Sequence, residues 1–71
     1  MALDTLTETD RAILDLEAKW WATSGGKDQA INELGMSPVR YYRRLNQLID
    51  SEAALTYNAV VVHRLRRIAG R

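Results

Sequence analysis

The chain has 71 residues, ten Lys or Arg, nine Asp or Glu, one histidine and no cysteine, for a net charge of +1. It therefore has no disulfide and no thiolate metal site, and one imidazole, His63, does not make a zinc site. No apolar run approaches the length of a membrane span, and no basic-then-apolar leader opens the chain. The expectation is one small cytoplasmic domain over residues 1–71.

Residues 7–22 read as a first helix. Thr7 is a candidate N-cap, and Asp10 stands three residues on, where a capping box places an acid. Arg11, Asp15 and Lys19 follow at i, i+4 spacing as a solvated charge ladder. The other side carries Ile13, Leu14, Leu16, Trp20 and Trp21. Glu17 falls near the middle of this wide apolar arc. It reads either as a carboxylate at the core edge paired with an arginine, or as an exposed one on a curved surface. On a helix Trp20 and Trp21 diverge by about 100°, so both are buried only if another element covers the second. Leu14, Ala18 and Trp21 are expected to form an exposed or dimer-covered patch.

Thr23-Ser24-Gly25-Gly26 reads as the end of that helix, its glycines supplying a left-handed C-cap. Lys27–Leu34 reads as a short second helix with Ala30, Ile31 and Leu34 inward. After the break at Gly35-Met36, Ser37 is a good N-cap, and Pro38 takes the first helical position, where its missing N–H costs nothing. The third helix runs to about Ile49. Around Leu45, the residues Tyr41, Tyr42, Leu48 and Ile49 fall within about 60°. Arg40, Arg43 and Gln47 fall on the opposite side, flanked by Arg44 and Asn46, with Val39 the one apolar residue among them. Ser51 with Glu52–Leu55 reads as one turn of helix. Asn58 caps a last, basic helix over 59–69, with Val61, Leu65 and Ile68 inward and His63 on the solvent side. No strand pairing, repeat or low-complexity segment emerges. The fold class is all-α, four to five short helices around a helix-turn-helix at 27–49.

Charge is split along the chain. Residues 1–26 carry five acids against two bases, a balance of −3, whereas 27–71 carry eight bases against four acids, a balance of +4. The last nineteen residues hold Arg64, Arg66, Arg67 and Arg71 and no acid. This asymmetry suggests a face for a polyanion.

The stretch "AINELGMSPVRYYRRLNQLI" resembles the helix-turn-helix unit of bacterial transcription regulators and of the promoter-reading domains of sigma factors. That resemblance implies a second helix seated in the DNA major groove by its N-terminal residues, with Met36 filling the space between the helices. Matched position by position, Ser37, Val39, Arg40, Arg43 and Arg44 would face DNA, while Tyr41 and Leu45 would be core. The small residue usual in the middle of the first helix is matched here by Ile31. Arginine's planar fork suits guanine or phosphate, and Gln47 suits adenine. Lys27 would lie at the backbone with Ser37, and Arg64, Arg66, Arg67 and Arg71 would hold phosphates. "KWWATSGGKDQAI", "GMSPVRYYRRLNQLID" and "VVHRLRRIAGR" together resemble a family of short, largely uncharacterised actinobacterial proteins. The likeness covers most of 12–70 and implies a transcription-linked protein, with no catalytic residues to carry over.

Enzyme chemistry finds little support: no nucleophile–base set is available, and Gly25-Gly26-Lys27 lacks the rest of a phosphate loop. No metal site and no cofactor are expected. The reading is a transcription-associated protein, nucleoid-bound, that binds double-stranded DNA. The alternative is an adaptor on RNA polymerase or a sigma factor, docked through Leu14, Glu17, Trp20 and Trp21, with or without promoter contact. A homodimer module is the third class, resting on the apolar surplus of the first helix.

Overall fold

The computed structural model describes residues 5–70 and contains α1 (Glu8–Ala18), α2 (Ser24–Glu33), α3 (Pro38–Leu48), α4 (Glu52–Tyr57) and α5 (Ala59–Ile68). No strand occurs among the described residues. None of these helices is long and apolar enough to cross a membrane. Arg71 lies outside the described residues.

Every helix starts on a side chain that accepts from its own first turn. At α1 the capping box is complete: Thr7 Oγ1 accepts from Asp10 N at 3.0 Å, and Asp10 Oδ2 accepts from Thr7 N at 3.1 Å. Thr23, Ser37, Ser51 and Asn58 cap the other four in the same sense, with Pro38 opening α3. Each such cap contributes about 1 kcal/mol and fixes where the backbone turns into helix.

Two sequence expectations change here. Helix α1 stops at Ala18, with Lys19 extended, so Trp20 and Trp21 lie beyond the helix rather than on it. Thr23-Ser24-Gly25-Gly26 does not end α1 but begins α2: Thr23 Oγ1 accepts from Gly26 N at 3.0 Å, and neither glycine has positive φ. The threonine cap outcompeted the glycine signal, because a hydroxyl satisfies an otherwise orphan N–H at that position.

Helix α1 is the hub and packs against each of the other four. Helices α2 and α3, joined by the turn at Gly35, pack against each other, and α4–α5 packs as a second pair. The core joins Ile13, Leu14 and Leu16 to Ile31, Tyr41, Leu45, Leu48, Ala54, Val61 and Val62, with Met36, Leu34 and Trp21 half-buried against it. Leu14 is fully buried, which removes it from any exposed patch. Tyr42 and Ile68, expected inward, are exposed, because no element among the described residues covers those sides of α3 and α5.

The turn between α2 and α3 depends on Gly35, whose φ of 81° closes α2 while its N–H donates to Asn32 O at 2.9 Å. Only glycine takes this left-handed conformation without a steric cost. Gly35→Ala should lower the urea midpoint, costing about 1 kcal/mol. Gly25→Ala should act oppositely and add about 0.5 kcal/mol, since Gly25 is helical and a methyl there meets nothing within 4 Å.

Candidate functional site

Helix α1 presents two buried carboxylates, one near each end, about 10 Å apart along its axis. Asp10 is 2% exposed. Its Oδ1 accepts from Arg44 Nε and its Oδ2 from Arg44 Nη2, both at 2.8 Å, so the guanidinium fork grips it from α3. Arg44 Nη1 donates to Gln47 Oε1, also at 2.8 Å. The Arg44 guanidinium holds the Asp10 carboxyl below its ordinary 3.8, outweighing burial, which pushes it up.

Glu17 takes the first of its two expected environments, with a lysine in place of the arginine. Its Oε2 lies 2.7 Å from Lys27 Nζ of α2 and accepts the Tyr41 hydroxyl of α3 at 2.6 Å. The Tyr41 oxygen also stands 3.3 Å from Ile13 O. Burial first, then the Glu17 carboxylate, push the Tyr41 phenol far above its ordinary range. The Lys27 ammonium sits over the rings of Tyr42 and Tyr41, at 5.3 and 5.9 Å from their centroids. Burial works against this ammonium, and the Glu17 carboxylate outweighs it, so Lys27 stays charged above its ordinary range. Glu17 and Lys27 are therefore committed inside the fold, and neither presents a free charge at the surface.

The C-terminal arginines divide. The last carbonyls of a helix lack partners within it, and inside a small bundle they need donors from elsewhere. At the end of α1, Trp21 Nε1 donates to Leu16 O at 3.0 Å, and the Arg64 guanidinium donates to Glu17 O. At the end of α3, Arg66 Nε donates to Ile49 O at 2.8 Å, with its Nη2 4.0 Å from Glu52. Arg64 and Arg66 are thus helix caps supplied by α5. Among the described residues, no buried side-chain nitrogen or oxygen is left without a partner.

What remains outward on α3 is a different set. Arg40 and Arg43 are exposed three residues apart on one face, and neither side chain engages an acid or a carbonyl among the described residues. Ser37 and Gln47 are exposed beside them, and Val39 is 67% exposed. An open groove of about 370 Å³ lies between this face and the start of α1, with Asp10, Met36, Arg40, Arg43, Arg44 and Gln47 among its lining residues. Arg67 is exposed on α5 and likewise unengaged. Of the basic residues expected to meet DNA, Arg40, Arg43 and Arg67 are at liberty. Lys27, Arg44, Arg64 and Arg66 are held by Glu17, Asp10, the Glu17 carbonyl and the Ile49 carbonyl.

Tyr42, which helical spacing places inward, instead stands exposed on α3 with its ring edge-on to Tyr41 at 5.0 Å. Lys19, read as part of a solvated charge ladder and given no site role, is exposed beside Trp20. Trp20 is 85% exposed, whereas Trp21 is half-buried, so the two indoles of the expected partner surface part company.

The chain belongs to the family described as protein of unknown function (DUF3263), which matches residues 5–71. No curated protein and no solved structure matches it.

Two predictions follow from these pairs. Because the folded pKa of Asp10 is depressed, its contribution to stability is present above the ordinary 3.8 and is lost as pH falls through the folded value. Asp10→Asn should flatten that acid limb of a stability-versus-pH curve. At neutral pH it should cost about 2 kcal/mol, held to that figure because Arg44 is 40% exposed and partly screened. Arg66→Ala should lower the thermal midpoint through a loss of about 1–2 kcal/mol, as expected for removing a charged donor from a helix-end carbonyl. Calorimetry that finds the midpoint unmoved would deny Arg66 this capping role.

Proposed function

We propose that this DUF3263 member binds double-stranded DNA with α3 in the major groove, as a transcription-associated protein of the bacterial nucleoid. The observation that carries this reading is the contrast among arginines. Arg44, Arg64 and Arg66 each have an intramolecular acceptor, whereas Arg40 and Arg43 stand without one on the exposed face of the second helix of a helix-turn-helix. Keeping two arginines unpaired beside a carboxylate-rich α1 is what a face reserved for an external anion requires.

The chemistry follows from the positions. Arg40 and Arg43 reach bases or phosphates from the first two turns of α3, the part of such a helix that meets base edges. Val39 supplies an apolar contact suited to a thymine methyl. The Ser37 hydroxyl, which accepts from Arg40 N at 3.2 Å, keeps its own proton to donate to a phosphate. Arg67 adds a phosphate contact. Arg44 acts one step back: it fixes α3 on α1 and holds the Gln47 amide in place.

This division makes the salt dependence quantitative. Three unengaged arginines give a slope of log affinity on log salt of about −3, against about −5 if the three held arginines also met phosphate. Arg40→Ala combined with Arg43→Ala should weaken binding to random-sequence duplex by at least about tenfold and reduce the slope by about two. The thermal midpoint should stay put, since both side chains are exposed and unbonded. Unchanged affinity in that double variant would sink the DNA reading, and fluorescence anisotropy across a salt series is the measurement.

A further inference from the structure

The corner where α1 passes into α2 carries features the DNA reading does not use. Trp20 stands 85% exposed in the link between the helices, far more than an indole of that size needs to leave in water. Beside it opens a concavity of about 510 Å³ lined by Lys19, Trp20, Trp21, Thr23, Lys27 and Arg64. Three of those side chains are cations, two are indoles, and no Asp or Glu among the described residues lines it. Glu17 lies beneath, but Lys27 and Tyr41 occupy its carboxylate. Among the described residues Lys19 has no acid partner, and Arg64 donates to a neutral carbonyl, so neither positive charge is compensated by one of them.

We propose that this corner is a docking site for an acidic segment of a partner protein, with one large apolar side chain seated against Trp20 and Trp21 and flanking carboxylates set toward Lys19 and Arg64. Charge complementarity is the argument. Two indoles stand beside Lys19 and Arg64, which is the pattern a short acidic motif with an apolar anchor meets. Tryptophan and arginine are also the residues that most often dominate such contacts. The volume suits one large side chain with its adjoining backbone.

A single nucleic-acid strand fits less well. Successive bases stack on several bare aromatic faces along a track of cations. Here Trp21 is half-buried with its N–H turned onto Leu16 O, so Trp20 alone offers a bare ring. The Lys27 charge is spent on Glu17, leaving two cations for a backbone that carries a phosphate at every nucleotide.

The test is a displayed random-peptide library panned on the intact protein, with the Trp20→Ala variant as counter-selection. Trp20 is exposed, so this variant keeps the fold. The expected survivors are peptides enriched in Asp and Glu around one Leu, Ile, Phe or Trp. Synthetic copies should bind Trp20→Ala and Lys19→Glu at least about tenfold more weakly than the parent. They should bind the Arg40→Ala/Arg43→Ala variant as they bind the parent, which separates this site from the DNA face. The proposal is overturned if nothing survives the counter-selection, or if the survivors show no acidic enrichment. It is equally overturned if both corner variants bind unchanged. An oligothymidylate that binds more tightly than the peptides, and depends on Trp20, would assign the corner to a single strand instead.

Discussion

The α2–α3 pair stays seated on α1 because two buried carboxylates hold it there. Asp10 and Glu17 lie two turns apart on the face of α1 that meets α2 and α3, and each receives a charged partner from that unit. A buried carboxylate without a partner would be costly, so neither helix can slide or rotate on α1 without breaking a pair. Asp10 fixes the middle of α3 through Arg44. Glu17 fixes α2 through Lys27 and the first half of α3 through the Tyr41 hydroxyl. An apolar core of this size fills space but tolerates small rotations. The two charge clamps remove that freedom and give α3 one orientation.

The remaining polar demand lies at helix ends, and α5 meets it. Its arginines reach carbonyls that α1 and α3 cannot satisfy themselves, so the basic tail works as a brace between the two halves of the fold. Tyr57 of α4 adds a further tie, donating to Asp15 of α1 at 2.9 Å. In a chain of 71 residues the apolar surface available for burial is limited, and such polar ties carry a larger share of specificity than they would in a larger domain. The acidic N-terminal and basic C-terminal halves of the sequence are thus partly an internal matter: they pair with each other.

What could be read from the sequence was local. The capping box at Thr7 and Asp10, the Ser37-Pro38 start of α3 and the Asn58 cap of α5 each depend on residues within one turn, and all three are found in place. The inward set of α3 around Leu45 followed from helical spacing, apart from Tyr42. The end of α1 was not legible, because Trp21 and Arg64 fix it from outside the helix. The Gly25-Gly26 pair suits either a helix end or a helix start, and only Thr23 decides between them. The fate of the arginines was hidden for the same reason. A backbone carbonyl has no side-chain signature, so nothing in "HRLRRIAGR" distinguishes Arg66, which caps α3, from Arg67, which faces water.

Counting basic residues therefore overstates the charge this surface can offer a polyanion, and the sorting of those residues narrows what any binding reading must explain. On the DNA reading, Arg44 cannot leave Asp10 for a phosphate without abandoning a buried carboxylate, so its energetic value lies in orientation rather than contact. The same constraint keeps Lys27 on Glu17. Affinity must then come from few charges held rigidly, a design that favours discrimination by shape and base contact over bulk electrostatic attraction. A second anchor outside the DNA face suits such a protein well, because linking two modest contacts multiplies their effect without adding charge. The exposed indole at the α1–α2 corner is a large apolar group held beside uncompensated cations, and it lies on the link that the two charge clamps keep fixed relative to α3.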